Sequence, residues 1–318
     1  MSLLIDGRTA LLEGVIDYAG LFPPASLTLE EAVAEYREAR TGPHAWMLGR
    51  FLCPTSRMED LAAVLTASMP EGEERWGVSA IFDGPPATAA LAAHVFERHL
   101  EPAVTVAFAE LRTPAEAADG RSRSDSVVVL APFAEAAFGI SADVVPFLEV
   151  AKTADWRTGI RTAVGAIADL RGRWLRGIGA KFRTGGADAE AFPSSEQVAA
   201  FIAASVEWDV PFKATAGLHH PIRHHDAELG VMRHGFLNLL AATAIAVEGG
   251  SERDVVAAIE ETDSAAVALT PAGLRWRDRR IGVATLRSVR HDRFPAYGSC
   301  SFVEPVADLV SLGMVEPG

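Results

Sequence analysis

The chain has 318 residues, 49% of them hydrophobic, which is enough to bury the core of one large α/β domain or of two ordinary domains. Its formal net charge of −13 argues against the basic surface that is typical of nucleic-acid-binding proteins. The apolar runs are shorter than the ~18 residues of a membrane helix, and the N-terminus lacks the basic-then-apolar order of a signal peptide. We therefore expect a cytoplasmic protein with no membrane or nucleic-acid partner.

The two cysteines, Cys53 and Cys300, predict neither a disulfide framework nor a thiolate metal site. They are far apart in the sequence and no C-x-x-C spacing occurs. We expect both to be buried, reduced thiols, and we expect the protein to need no metal and no cofactor.

Residues 1–43 have the apolar spacing of helices and are predicted to form an N-terminal helical extension. Two consecutive prolines, Pro23 and Pro24, interrupt this pattern because a helix cannot continue through them. The segment at residues 17–24 is expected either to line a ligand pocket or to cover one end of the fold, and we favour the covering role.

Residues 44–250 alternate between strand-like apolar runs and amphipathic helices. The predicted strands are residues 45–53, 76–82, 104–110, 144–150, 178–183 and 210–215, and a further strand is considered at 127–130. Near-continuous apolar strands that alternate with helices are typical of a parallel sheet covered by helices. The α/β pattern therefore predicts a closed (β/α)8 barrel of the TIM type, with its core at residues 44–250.

The C-terminal part of the chain has a less regular pattern. Residues 235–247 are apolar throughout, which predicts a strand that runs into a helix, and residues 251–262 have a serine cap followed by helical spacing. A strand is predicted at 281–286 and a last helix at 306–312, after a loop-rich stretch at 294–305. We expect residues 251–318 to complete or cover the barrel. Because no linker is visible, residues 1–318 are predicted to form a single domain.

Lysine is rare in this chain, and two of its three lysines occupy consecutive predicted strands. Lys181 and Lys213 are separated by one helix, so a strand-helix-strand unit places them on neighbouring parallel strands. Side chains alternate along a strand, which puts Arg183 on the same face as Lys181 and Thr215 on the same face as Lys213. We expect these groups to meet at the carboxyl ends of the strands, where TIM barrels carry their active sites.

Three carboxylates also end predicted strands. Glu110 and Glu149 each close an apolar run and precede a turn, as does Asp83. Glu149 is predicted to pair with Lys181 and to serve as a proton shuttle, and Glu110 is predicted to contact the substrate. Asp83 precedes Gly-Pro-Pro and is expected to have a structural role as a helix cap or an ion-pair partner.

Small residues follow the Lys181 strand. Thr184, Gly185 and Gly186 lead from that strand toward a helix, and such loops bind anions through backbone N–H groups. We predict the anionic part of a substrate at this loop. A second run of small residues, 298–301, offers only its composition and is expected to be an ordinary turn.

Histidines are concentrated in one window of the sequence. Five of the nine lie there, namely His219, His220, His224, His225 and His234. The window starts where the Lys213 strand ends, so His219 and His220 are predicted to contact the substrate. The spacing matches no H-E-x-x-H signature, and a metal-dependent lyase or isomerase built on this window is kept as an alternative.

A lysine that lies beside a second cation and is partly removed from water is favoured as the free amine, which attacks carbonyl carbons. The motif K-F-R-T-G-G at residues 181–186, followed by F-K-A-T-A-G at 212–217, resembles the two lysine strands of the deoxyribose-phosphate aldolase family, K-x-x-T-G and K-A-S/A-G-G. The resemblance implies that Lys181 forms a Schiff base and that Lys213 is the neighbouring cation that favours its free amine.

The chain departs from that family at Arg183, where the family has a small residue, and at residues 218–220 after the second lysine strand. Glu110 is the nearest candidate for an aspartate that the family carries on its third strand. We predict an enzyme, namely a carbon–carbon lyase of the class I aldolase type acting on a small carbonyl compound with or without a phosphate. A non-catalytic barrel that binds an anionic metabolite is a further alternative, and an alanine-rich apolar surface is compatible with a homodimer.

Overall fold

The computed structural model describes residues 6–119, 122–174 and 176–318, and it contains a closed barrel of eight parallel strands. The first seven barrel strands are β1 (Ile16–Tyr18), β2 (Leu48–Pro54), β3 (Trp76–Phe82), β4 (Val104–Arg112), β5 (Val145–Glu149), β6 (Gly179–Arg183) and β7 (Phe212–Thr215). Two small antiparallel sheets follow, formed by β8 (His224–Asp226) with β9 (Val231–Arg233), and by β10 (Val267–Thr270), β11 (Gly273–Trp276) and β12 (Arg279–Gly282). The eighth barrel strand is β13 (Tyr297–Ser299).

Helices alternate with the barrel strands. They are α1 (Gly7–Leu12), α2 (Leu29–Thr41), α3 (Met58–Ser68), α4 (Pro86–Leu100), α5 (Arg123–Phe138), α6 (Trp156–Trp174), α7 (Ser195–Glu207), α8 (Phe236–Val247), α9 (Glu252–Ile259), α10 (Val283–Ser288) and α11 (Val303–Ser311). This arrangement confirms the predicted (β/α)8 barrel of the TIM type. No helix among the described residues is both long enough and apolar enough to cross a membrane.

The strand phase around the two lysines agrees with the sequence prediction. Lys181 on β6 is the register partner of Lys213 on β7, and Glu149 on β5 is the partner of Lys181. Phe182 stacks on Phe201 of α7 with ring centroids 4.5 Å apart, so this side chain faces the helix layer. Because side chains alternate along a strand, Lys181 then faces the barrel interior.

The predicted N-terminal helical extension is wrong in one important part. Residues 16–18 form β1, which pairs with β2 on one side and with β13 on the other and so closes the barrel. A strand of three residues is too short to show a period, and all three residues are buried. Helices do flank it, at α1 and α2. Residues 1–5 of the predicted extension lie outside the described residues.

Other predicted strands are helical. Residues 127–130 lie within α5, whose first turn is capped by Ser122. Their β-branched side chains favour a strand, but packing of Leu130 and Ala134 in the core favours the helix. Residues 235–247 form only a helix, α8, and most of its side chains are buried, which explains why no amphipathic period is visible. The predicted strand at 281–286 contains the end of β12 and most of α10.

The remaining C-terminal predictions agree more closely. Ser251 caps α9 in a capping box with Asp254, and this helix ends at Ile259, before the predicted end at residue 262. The loop-rich stretch at 294–305 contains β13, and α11 covers most of the predicted last helix. Residues near both ends of the chain therefore contribute strands to the barrel. The assignment of residues 1–318 to a single domain stays a prediction.

Candidate active site

A cavity of about 460 Å³ opens at the carboxyl ends of the barrel strands. Its floor and walls include Glu110 on β4, Lys181 and Arg183 on β6, and Thr215 on β7. Phe22, Pro23 and Pro24 line it from the N-terminal segment. Of the two roles considered for residues 17–24, the structure therefore supports the lining of a pocket rather than the covering role that we favoured.

Lys181 supplies an amine to this cavity. Its side chain is 6% exposed, and its Nζ lies 3.0 Å from Oε2 of Glu110 and 3.3 Å from Oε2 of Glu149. The second contact agrees with the pairing that the sequence predicted for Glu149. Glu110 lies on β4, which is separated from β6 by β5 alone, so the amine contacts two carboxylates of neighbouring strands.

Lys213 is buried more deeply than Lys181. Its Nζ lies 2.5 Å from Oδ2 of Asp17 and 2.5 Å from Oε1 of Glu110, and it lies 5.0 Å from the ring centroid of Phe108. The contact with Asp17 spans the intervening strand β13, where the register partner of Asp17 is Gly298. A Cβ atom on Gly298 would lie 3.3 Å from Cδ2 of Leu52, so a larger residue would crowd this part of the barrel wall.

Seven side chains form a continuous row of alternating charge inside the barrel mouth. In spatial order they are Arg50, Asp17, Lys213, Glu110, Lys181, Glu149 and Arg183, and we call them the charge row. Ser79 adds a hydrogen bond from its hydroxyl to Oε1 of Glu110 at 2.9 Å. Four cations and three carboxylates make up the row, and the more exposed Arg112 adds a further cation 3.9 Å from Oε1 of Glu149.

The two glutamates of the charge row are held as carboxylates. Burial opposes the charge of Glu110, but the ammonium groups of Lys213 and Lys181 outweigh it and hold its pKa well below the usual range. Burial likewise opposes the charge of Glu149, and Lys181 together with Arg183 lowers its pKa. Both groups are therefore deprotonated at neutral pH, so each can accept a proton from a bound molecule and neither has a proton to donate.

The loop after β6 has two different roles. Gly186 lines the cavity, as expected for an anion seat. The hydroxyl of Thr184 instead donates to the carbonyl oxygen of Ala216 at 2.6 Å, and the residue is 1% exposed, so it ties the end of β6 to the end of β7. A Cβ atom on Gly185 would lie 2.8 Å from Cε1 of Phe192, which explains the need for glycine there.

Part of the histidine window comes together beside α11. His219 lines the cavity, and both His219 and His220 contact Glu304. Nδ1 of His220 also lies 2.7 Å from Oδ2 of Asp308, and its ring packs 4.5 Å from that of His224. His234 is buried with Nε2 2.8 Å from the carbonyl oxygen of Pro193, and burial lowers its pKa to about 4. Over residues 6–119, 122–174 and 176–318, no group of three or more His, Cys, Asp or Glu side chains is arranged to hold a metal ion.

Asp17 is the principal site residue that the sequence did not reveal. It is 0% exposed and holds both Lys213 and the backbone N–H of Arg50, the latter at 2.7 Å. The only signal was an acidic residue within the apolar run at residues 15–18. Asp83 was expected to cap a helix or to form an ion pair, but its Oδ1 instead accepts a hydrogen bond from the hydroxyl of Thr55 at 2.8 Å.

The stretch at 298–301 is not an ordinary turn. Gly298 and Ser299 belong to β13, and Gly298 and Cys300 line the cavity. The fold and the charge row together define a TIM-type barrel protein with a buried lysine–carboxylate site at its C-terminal mouth. Comparison of the chain with protein-family models gives no match, and comparison with curated proteins gives none either.

Proposed function

We propose that this protein is a carbon–carbon lyase of the class I aldolase type, in which Lys181 forms a Schiff base with a small carbonyl compound. The observation that carries the proposal is the position of one lysine amine in a cavity at the barrel mouth, directly beside a second, buried lysine. Active sites of TIM-barrel enzymes lie at this end of the barrel. The resemblance of the two lysine strands to the deoxyribose-phosphate aldolase family supports the same assignment.

The chemistry requires an uncharged amine and a base beside it. The amine nitrogen of Lys181 attacks the carbonyl carbon, water leaves, and the resulting iminium withdraws electrons from the adjacent carbon–carbon bond. Glu110, which lines the cavity, and Glu149 lie on either side of Nζ and are the carboxylates in contact with it. Their lowered pKa values keep both groups deprotonated at neutral pH, so each can accept a proton as a weak base.

Lys181 and Lys213 have different roles in the proposed chemistry. Lys181 must lose one proton before it attacks the carbonyl carbon, and Glu110 and Glu149 are the carboxylates in contact with its Nζ. Lys213 cannot take this role directly because it does not line the cavity and is 1% exposed. Lys213 supplies a fixed positive charge next to Lys181, and both ammonium groups compete for the carboxylate of Glu110.

A substrate with an anionic end fits the rest of the cavity. Arg183 and Arg233 both line the wall beside Gly186, and side-chain cations with backbone N–H groups recognise carboxylates or phosphates. His219 lies in the same wall. We propose a small carbonyl compound with a negatively charged group, and the aldol or retro-aldol partner lies toward Glu110.

The test is reductive trapping, which this chain allows to be unusually selective. Protein is incubated with pyruvate or acetaldehyde and sodium borohydride, and the modified residue is identified by peptide mass spectrometry. Lys152 is exposed and therefore serves as an internal reference for nonspecific reductive alkylation. The proposal expects the adduct on Lys181 in preference to Lys152. Equal labelling of the two residues, or labelling that persists after Lys181→Met elsewhere in the cavity, contradicts it.

A second candidate is a barrel that binds an anionic metabolite without turnover. It is favoured by the contacts of Lys181, because two carboxylates within 3.3 Å of Nζ also stabilise the charged ammonium. This candidate expects anionic ligands to raise the melting temperature while no compound is trapped on Lys181. The metal-dependent alternative based on the histidine window has no comparable support, since no group of three or more His, Cys, Asp or Glu side chains among the described residues is arranged to hold a metal ion.

A further inference from the structure

A second set of reactive side chains lies on the wall of the same cavity, away from the charge row. Cys300 directly follows β13, His219 lies in the loop after β7, and Glu304 belongs to the first turn of α11. Sγ of Cys300 lies 3.7 Å from Nε2 of His219. Nδ1 of His219 lies 2.9 Å from Oε2 of Glu304. We call these three residues the thiol cluster.

The carboxylate fixes which imidazole nitrogen is free. Glu304 accepts a hydrogen bond, so Nδ1 of His219 carries the proton and Nε2 keeps its lone pair. Nε2 is also the nitrogen nearer to the sulfur, since Sγ lies 3.9 Å from Nδ1. The two Sγ–N distances are nearly equal, so the sulfur lies beside the ring. These distances are longer than in a reacting pair, and such contacts shorten when a substrate binds. The order of groups is nucleophile, base and orienting carboxylate.

The thiol of Cys300 needs this base. Burial raises the pKa of the thiol, and the carboxylates of Glu304 and Glu35 raise it further. A backbone contact with Ala25 lowers this pKa. Tyr18 is no substitute base, because its hydroxyl donates to Glu35 at 2.6 Å. Among the described side chains in contact with Sγ, the imidazole of His219 is the group that can take the proton.

We propose that Cys300 is a second covalent site in this cavity, a thiol that His219 deprotonates and that adds to the carbonyl carbon of an aldehyde. In this step the thiol proton moves to Nε2 of His219, the sulfur forms the new C–S bond, and the C=O π electrons move to oxygen. The imidazolium then returns the proton to that oxygen. The product is a thiohemiacetal, with no leaving group and no change in oxidation state.

Cys53 provides the contrast with an inert thiol. It is 0% exposed, its Sγ donates to the carbonyl oxygen of Pro54 at 3.3 Å, and burial raises its pKa. Cys300, in contrast, lines the cavity and contacts an imidazole. The two cysteines of this chain therefore make a matched pair for measuring reactivity.

The test measures alkylation by iodoacetamide on the full chain near neutral pH. The Cys53→Ser protein reports Cys300, and the Cys300→Ser protein reports Cys53. Iodide leaves as the C–S bond forms, and His219 takes the thiol proton. Because general-base assistance contributes about a hundredfold or more in such steps, we expect Cys300 to react at least ~10-fold faster than Cys53. Adding His219→Gln to the Cys53→Ser protein is expected to slow Cys300 by at least ~10-fold.

The outcomes separate activation from simple shielding. If His219 only covers the thiol, its removal leaves the alkylation rate unchanged or raises it, and the proposal is then wrong. Equal rates for the two cysteines also overturn it, because they indicate reaction through global unfolding. The Cys53 rate in a Cys300→Ser, His219→Gln protein is expected to stay constant and so checks that the variant is folded. If this variant does not fold, Glu304→Gln carries the test, with a smaller reduction expected.

Two further measurements test which class of ligand the thiol cluster binds and whether the reactivity of Cys300 is independent of an imine at Lys181. Acetaldehyde at saturating concentration is expected to slow the alkylation of Cys300, and no protection overturns the assignment of an aldehyde. Lys181→Met is expected to leave the Cys300 rate unchanged, because the thiol cluster does not include that amine. A failure of lysine trapping and a failure of thiol activation are thereby recorded separately.

Discussion

Glu110 is the carboxylate on which the charge row depends, and Glu110→Gln tests this directly. The change keeps the side-chain volume and removes one negative charge between two buried ammonium groups, at 2.5 Å from Lys213 and 3.0 Å from Lys181. Breaking a buried ion pair from one side costs about 3–5 kcal/mol because an uncompensated charge is left behind. We expect the free energy of unfolding to fall by about that amount near neutral pH.

The pH dependence of this loss has a definite sign. The pKa of Glu110 is lowered in the folded protein from an ordinary value of 4.5, so its stabilising contribution is present above that value. The contribution decreases as the pH falls below 4.5 toward the folded pKa, because the unfolded glutamate binds a proton first. The difference between wild type and Glu110→Gln is therefore expected to shrink in acid.

Guanidinium unfolding at neutral pH and below pH 4.5 measures both effects. Glu207→Gln is the matched control, because Glu207 pairs with Arg161 at 2.9 Å on the surface, where both side chains are about half exposed. An exposed pair contributes less than about 1 kcal/mol. A loss for Glu110→Gln no larger than that of the control, or one that stays constant in acid, would refute the account of the charge row.

Other substitutions test neighbouring parts of the site. Lys181→Arg is expected to abolish borohydride trapping while the chain stays folded, because guanidinium keeps the charge but cannot attack a carbonyl; trapping that survives excludes the imine at this residue. Lys213→Met is expected to lower the free energy of unfolding by about 3–5 kcal/mol and Lys213→Arg by less, and equal losses would show that its charge is not what matters. Gly185→Ala is expected to lower the free energy of unfolding by about 1–3 kcal/mol, because the new Cβ meets Phe192. In the control Gly84→Ala the new Cβ meets no atom within 4 Å, so little change is expected in thermal unfolding.

The neighbouring positions of the two lysines followed from the sequence because both lie in strands long enough to show their phase. Phe182 and Phe212 alternate with the lysines, and aromatic residues next to a helix layer identify the outer face. Because a single helix connects the two strands, they are expected to be parallel neighbours in the sheet. These are local and short-range properties, which a sequence pattern records well.

The partners of the lysines depended on closure of the barrel and were harder to predict. Asp17 reaches Lys213 only because β1 and β13 meet, and each of those strands has three residues. Glu110 was expected in the pocket, but no local pattern indicates that its two oxygens contact different lysines. The histidine window illustrates a different problem, since His219 and His220 contact α11 whereas the nearby His234 is buried against the carbonyl oxygen of Pro193.

The strand that closes the barrel, β13, follows the other seven barrel strands in the chain. Until Ser299 has left the ribosome, β1 and β7 have exposed edges, and unpaired strand edges are templates for association with other chains. The same nascent chain lacks β13, which lies between Asp17 and Lys213 and keeps their strands at contact distance. Protection of the sheet edges and assembly of the site are therefore one event in biosynthesis. A product truncated before residue 297 therefore lacks the strand that brings Asp17 to Lys213 and leaves two strand edges open to other chains.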